Sequence, residues 1–167
     1  LVCQGPSGGF FVAGVTREDI RETFGIRAVL ESYAACLAAS QHREEELAPL
    51  DRKIREYQAS MDRGDLGSLL QINTEFHDLL YGLSRSSRLI KMINDLRDQI
   101  FRFRQVLLKE EAWARVSNED HRLMLAFIRK RDTEGVERLV RDHILRGQAV
   151  VLQHFDLPES AGPGIVV

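Results

Sequence analysis

The 167 residues are 44% hydrophobic and 29% charged, with a formal net charge of -2, a profile that excludes a disordered or low-complexity chain and fits one soluble globular domain. No apolar stretch approaches the roughly 20 residues that cross a bilayer, and Leu1-Val2-Cys3-Gln4-Gly5-Pro6 lacks the basic and apolar regions of a secretory signal, so a cytoplasmic location is expected. The balance of 23 basic against 25 acidic residues leaves no electrostatic footprint for nucleic acid, and Cys3 and Cys36 lack the spacing of a disulfide, zinc or redox motif, Cys36 reading as a small core residue and Cys3 as a free thiol.

The chain does not open on Met, and its first residues read as the end of a preceding domain: Gly5-Pro6-Ser7-Gly8-Gly9 is turn-rich and Phe10-Phe11-Val12-Ala13 favours a strand. Thr16-Arg17-Glu18-Asp19 has the layout of a capping box with Asp as the acid. It predicts helix 1 to about Ser40, with Ile20, Phe24, Arg27, Glu31, Ala34, Ala35 and Ala38 at helical spacing. Helix 2 is expected over 43–62, kinked by Pro49 in its first turns. Arg63-Gly64-Asp65 reads as a C-cap glycine followed by an N-cap acid. Helix 3 runs from Leu66 to about Leu83. Helix 4 is a heptad run through Leu89, Ile93, Leu96, Ile100, Phe103 and Leu107 that ends before Trp113. Ser117-Asn118-Glu119-Asp120 reads as a second capping box, opening helix 5 to about Lys130, and Asp132 caps helix 6, which continues to about Phe155. Pro158 to Val167 reads as a frayed tail. Six amphipathic helices with short loops predict an all-α antiparallel bundle. The expected division is 1–14 as a wing or linker remnant, 15–157 as the helical domain and 158–167 as a flexible tail.

Three of the five histidines share a pattern. His77, His121 and His143 fall on helices 3, 5 and 6, each on or beside the apolar face. Each buried imidazole needs hydrogen-bond partners of its own, whereas one metal ion satisfies all three. Asn73, four residues before His77, is its neighbour on the same face, about 6 Å away at Cβ. These four residues form a candidate N/O metal site, with three core histidines as the alternative. His154 faces nearly the same way as His143 but lies about 16 Å further along the helix, and His42 reads as a surface residue.

No Glu-x-x-His pair accompanies these histidines, and no H-E-x-x-H, G-x-S-x-G or glycine-rich phosphate loop is present. His77-Asp78 is similar to the doublet of HD-type metal phosphohydrolases, although consecutive helical residues point about 100° apart. Arg27 shares a face with Phe24, Glu31 and Ala34, where a guanidinium requires a partner. Two readings stand: an i,i+4 pair with Glu31 or a clamp for a small anion. Arg97, Arg102 and Arg104 read as a solvated face.

Gly8-Gly9-Phe10-Phe11-Val12-Ala13 resembles the end of the wing in GntR-type winged helix-turn-helix regulators. Arg27-x-x-Leu30-Glu31, Asn73-x-x-Phe76-His77, Asp120-His121 and Asp142-His143-Ile144, in that order and spacing, resemble the effector-binding FCD domain of the FadR/VanR branch, over about residues 8–155. The resemblance implies an all-α bundle that senses a small molecule, often a carboxylic acid, and forms a homodimer. It also implies an upstream DNA-binding domain of roughly 70 residues that would reach operator DNA. Six helices favour the VanR-like subtype. Members of this family bind a divalent metal through an Asp and three His, and the matching positions are Asn73, His77, His121 and His143. Asn73 departs from that pattern: its amide oxygen is a weaker ligand and removes one negative charge. The three imidazoles suit zinc, nickel, copper or iron rather than magnesium or calcium. Arg27 then faces the carboxylate of the effector.

These readings imply the effector-sensing and dimerisation domain of a bacterial transcriptional regulator, with no catalysis, no membrane contact and DNA bound only through the upstream domain. The alternatives are an HD-type metal phosphohydrolase and a purely structural dimerisation bundle.

Overall fold

The computed structural model describes the backbone of residues 2–4 and 10–12 and, in full, residues 15–100 and 111–155. Two short strands, β1 (Val2–Gln4) and β2 (Phe10–Val12), pair antiparallel with Cys3 opposite Phe11. The expected strand is β2; its partner was not evident from the sequence. Six α-helices then follow among the described residues, as the hydrophobic periodicity predicts.

Helix α1 spans Arg17–Gln41 and opens on the expected capping box, in which the Thr16 hydroxyl accepts from the Asp19 amide at 3.1 Å and the Asp19 carboxylate accepts from the Thr16 amide at 2.8 Å. Residues Glu44–Leu47 form one 3₁₀ turn before α2, Ala48–Asp62. Pro49 therefore starts α2 rather than kinking it, because a residue in the first turn has no intrahelical acceptor for its amide and loses nothing by lacking one. Gly64, at φ 69°, and Asp65, whose side chain accepts from the Ser68 amide, make the stop and restart read from the sequence. Helix α3 is Leu66–Gly82 and α4 is Ser87–Gln99. The heptad run does not continue as helix through Ile100, which leaves helical geometry at φ -113° and ψ 13°. Phe103 and Leu107 lie outside the described residues, as do Arg102 and Arg104.

Helix α5 is Glu111–Arg129, so Ser117 and Asn118 sit inside it, both buried, instead of opening it. The capping-box pattern failed because these polar residues serve the interior: the Asn118 amide donates to Gln58 on α2 at 3.1 Å. Helix α6, Thr133–Phe155, is capped as expected by Asp132, which accepts from the Gly135 amide at 2.8 Å.

Helix α1 forms the spine, making its most extensive contact with α6 and further contacts with α3, α4 and α5. Ala28, Ala34, Ala35, Ala38 and Ala39 are all buried on it, and their small volume lets neighbouring backbones lie close. Helix α2 packs on α3 and α5, and α5 on α6. His42 is not a surface residue as the sequence suggested. It is 3% exposed, with Nδ1 at 3.2 and 3.1 Å from the carbonyls of Ala38 and Ala39. Arg131 closes the same junction by donating to the carbonyls of Ser40 at 2.8 Å and His42 at 2.9 Å. The turn between α5 and α6 thereby caps the end of α1. Cys36, expected in the core, is half-buried.

Candidate metal and effector site

His77 on α3, His121 on α5 and His143 on α6 converge in the bundle interior. Each offers one ring nitrogen within 4.8 Å of those of the other two, and all three are buried. Among the described residues, no carboxylate joins this group. Adjacent imidazole centroids lie 5.1 to 5.6 Å apart, and Phe76 stacks on His121 at 4.1 Å. Asn73, one helical turn before His77, lines a cavity beside this group together with His77, His143, Arg27, Glu31 and Arg97, whereas His121 lies behind its wall and does not line it. The cavity volume is about 40 Å³.

Hydrogen bonds set the proton positions on two of the rings. The Tyr81 hydroxyl has one proton and gives it to Glu31; it must therefore accept from His77 Nδ1, 3.0 Å away. His77 thus carries its proton on Nδ1 and a lone pair on Nε2. The Asp120 carboxylate faces His143 Nδ1 at 2.9 Å and Arg146 at 2.6 Å, so the lone pair of His143 likewise falls on Nε2. A carboxylate or its relay behind the far nitrogen is the support that orients metal-ligating histidines.

His121 differs from both. It is fully buried, and neither ring nitrogen has a hydrogen-bond partner among the described residues. Burial, with a smaller effect from the His143 imidazole, pushes its pKa well below the ordinary value, so the ring is neutral and carries a lone pair. Leaving such a group unsatisfied costs about 1 to 3 kcal/mol. A divalent ion removes this penalty. In a tetrahedral zinc site, ligand nitrogens about 2.1 Å from the metal lie about 3.4 Å from each other, a modest contraction from the spacing found. The donor chemistry and the orphaned ring both fit a transition metal.

The charged residues close a second network. Arg27 Nε donates to Glu31 at 2.6 Å, with both side chains buried. Burial alone would raise the Glu31 pKa, but the Arg27 charge, the Tyr81 hydroxyl and Arg97 outweigh it and hold the carboxyl below its usual range. Tyr81 is pushed well above its ordinary value by burial and by Glu31, which keeps its proton in place. The i,i+4 pair anticipated for Arg27 is present, and Arg27 also lines the cavity.

Sequence reasoning missed three participants. Arg97 is 4% exposed rather than solvated, bonded through Nη1 to Asp78 at 2.5 Å and Asn94 at 3.1 Å. Its signal was spacing: Arg97 follows Ile93 by four residues and Leu89 by eight, on the buried stripe of α4. Trp113, placed by the sequence beyond helix 4, stands in the first turn of α5 with its ring 5.7 Å from His143. Tyr81 follows His77 by four residues, a spacing that puts its hydroxyl within reach of the imidazole. Asp78, the second half of the His-Asp doublet, is half-exposed and held by Arg97 rather than by the histidines.

The family model of the FCD domain matches residues 22–146. The chain is an FCD domain. It belongs with the GntR-type regulators that its motifs resemble. It is 26% identical over 136 residues to the uncharacterised HTH-type transcriptional regulator YdhC of Bacillus subtilis, a match covering 81% of this chain and 61% of that protein. It is 25% identical over 153 residues to the HTH-type transcriptional regulator McbR of Escherichia coli, covering 90% and 69%. The chain thus spans less than two thirds of the first relative and about two thirds of the second. The solved structure of E. coli McbR/YncC shares its fold, with a TM-score of 0.80 over 92% of this chain and 77% of that one, at 24% identity. The metal-free FCD domain of TM0439 superposes with a TM-score of 0.68 at 21% identity, covering 86% of this chain and 98% of that one. No described helix is long and apolar enough to cross a membrane.

Proposed function

We propose that this FCD domain is the effector-sensing and dimerisation part of a cytoplasmic transcriptional regulator, binding a small carboxylate at a metal-containing cavity. The observation that carries the reading is His121, wholly buried with both ring nitrogens unpartnered among the described residues, beside two histidines whose lone pairs are fixed by hydrogen bonds. His77, His121 and His143 would hold the ion, with the neutral Asn73 amide as a weaker fourth ligand. A bound divalent transition ion, zinc or nickel in class, supplies positive charge and open positions for an acidic ligand. Arg27, fixed by Glu31, forms the charged wall beside the effector. An operator-binding domain in the parent protein would respond through a shift in the relative placement of two protomers, and only a ligand that prefers one placement can cause it.

The test is elemental analysis of the purified domain beside His121→Ala, with melting followed before and after chelation. Metal in the wild type, lost in the variant, and melting sensitive to chelator are expected. Equal metal in both, or melting indifferent to chelator, refutes the metal site and leaves three core histidines.

A HD-type hydrolase draws no support from the geometry, because Asp78 is bound to Arg97. A purely structural bundle is distinguished by indifference to metal and to carboxylates.

A further inference from the structure

Arg97 lines the cavity as a buried guanidinium with one buried donor nitrogen that no described residue accepts from. Its side chain is 5% exposed. Nη1 is spent on Asp78 and Asn94. Nη2 is buried and has no hydrogen-bond partner among the described residues. A guanidinium presents its N–H groups in a planar fork matched to a carboxylate, and an unsatisfied charged donor in the interior is costly. Arg27 stands differently. Its Nε already meets Glu31, whose second oxygen takes the Tyr81 hydroxyl, and its guanidinium carbon lies 4.8 Å above the Phe24 ring. Arg27 is therefore hydrogen-bonded to a fully buried carboxylate, whereas Arg97 feels Glu31 only through its charge and is hydrogen-bonded to a half-exposed Asp78 that water also solvates.

Resting on the sensing reading above, we propose that Arg97 is the residue that receives the effector's carboxylate, through Nη2, and that Asp78 is its competitor. The cavity is lined by His77 and His143 as well as by Arg97, so an ion held by the histidines would add positive charge to the same cavity in which Arg97 offers the carboxylate its fork. The ligand class is a small carboxylate. Asp78 sits outside the cavity and holds Nη1, drawing the charge of Arg97 toward the surface. Neutralising Asp78 therefore frees that charge for the ligand.

The experiment titrates the zinc-loaded 167-residue chain with acetate, succinate and inorganic phosphate by calorimetry, in the wild type, Arg97→Gln and Asp78→Asn, with zinc content measured in each. For the better carboxylate, Arg97→Gln is expected to weaken binding at least about tenfold while retaining zinc. Asp78→Asn is expected to strengthen binding severalfold. That second sign separates a receptor from a structural residue, since an Arg97 that merely braces the fold binds no better when its brace is removed, and Asp78→Asn stays informative if Arg97→Gln does not fold. Wild-type affinity in Arg97→Gln, or weaker binding in Asp78→Asn, overturns the assignment of Arg97 and leaves the sensing pocket intact. Preference for phosphate over both carboxylates overturns the ligand class. No binding of any probe by the zinc-loaded wild type removes the sensing reading, and this inference with it.

Discussion

Tyr81 has one hydroxyl proton, and because Glu31 takes it, His77 is held in a single tautomer. Replacing Tyr81 with Phe removes the acceptor of the Nδ1 proton while keeping the ring that stacks on His77. Loss of a group that orients a ligating histidine lowers metal affinity by about 10 to 100-fold, so Tyr81→Phe is expected to release zinc to a competing chelator at correspondingly lower chelator concentration, with helical circular dichroism unchanged. Glu31 gives a second, metal-independent test. Its folded pKa lies below the ordinary 4.5, so the unfolded chain protonates this carboxyl at higher pH than the native one does. Its contribution is full above about pH 4.5 and disappears as pH falls through the lowered folded value. Glu31→Gln is expected to flatten the acid limb of the stability profile below that point, measured by urea denaturation in the absence of metal. These relays were half-legible in the sequence. The Arg27–Glu31 spacing was readable because both residues share one helix. The Glu31–Tyr81 bond spans 50 residues, and only the packing of α3 against α1 creates it.

At the level of the helix, what the sequence revealed depended on whether a local rule agreed with the tertiary demand. Thr16, Gly64, Asp65 and Asp132 stop or start helices where local chemistry places them. Ser117 and Asn118 obey the same local pattern, yet α5 runs through them because the interior requires their polar atoms. Arg97 was lost for the same reason, since a charged side chain on an amphipathic helix normally marks the solvent face. The start of α6 offers a sharp test. A Cβ on Gly135 would lie 2.5 Å from Asp132 Oδ2 and 2.8 Å from Phe127 Cδ1, and Asp132 is fixed by its capping bond to that residue's own amide. Gly135→Ala would gain helix propensity but must displace both the cap and a ring. We expect a net loss of about 1 to 3 kcal/mol, read from chemical denaturation, whereas Gly25→Ala, with nothing within 4 Å of the added carbon, should stabilise by up to about 1 kcal/mol.

For the whole molecule, the helices that carry the histidines also surround the spine, so any ligand shared by α3, α5 and α6 acts on the arrangement of the bundle. The surface of α1 turned away from that interior bears on assembly. Ile26, Val29 and Tyr33 are 43%, 52% and 55% exposed, and their three- and four-residue spacing puts them in one stripe. Met92, 53% exposed, stands on α4, which packs against α1. Phe101 and Val106, which add apolar residues to the helix 4 heptad run in the sequence, lie outside the described residues, and the stripe found is on α1. Contiguous apolar surface of this kind marks an interface, and a stripe that meets its own copy across a two-fold axis closes into a dimer. The 19.0 kDa chain is therefore expected to sediment as a dimer at micromolar concentration. Placing a carboxylate in the stripe sets like charges against each other across the two-fold and desolvates both, so Val29→Glu should shift the species to the monomer mass. Val29 does not line the cavity, so zinc content should remain at the wild-type level. A Val29→Glu protein that still sediments as a dimer would place the interface elsewhere, and a wild type that sediments as a monomer would remove it.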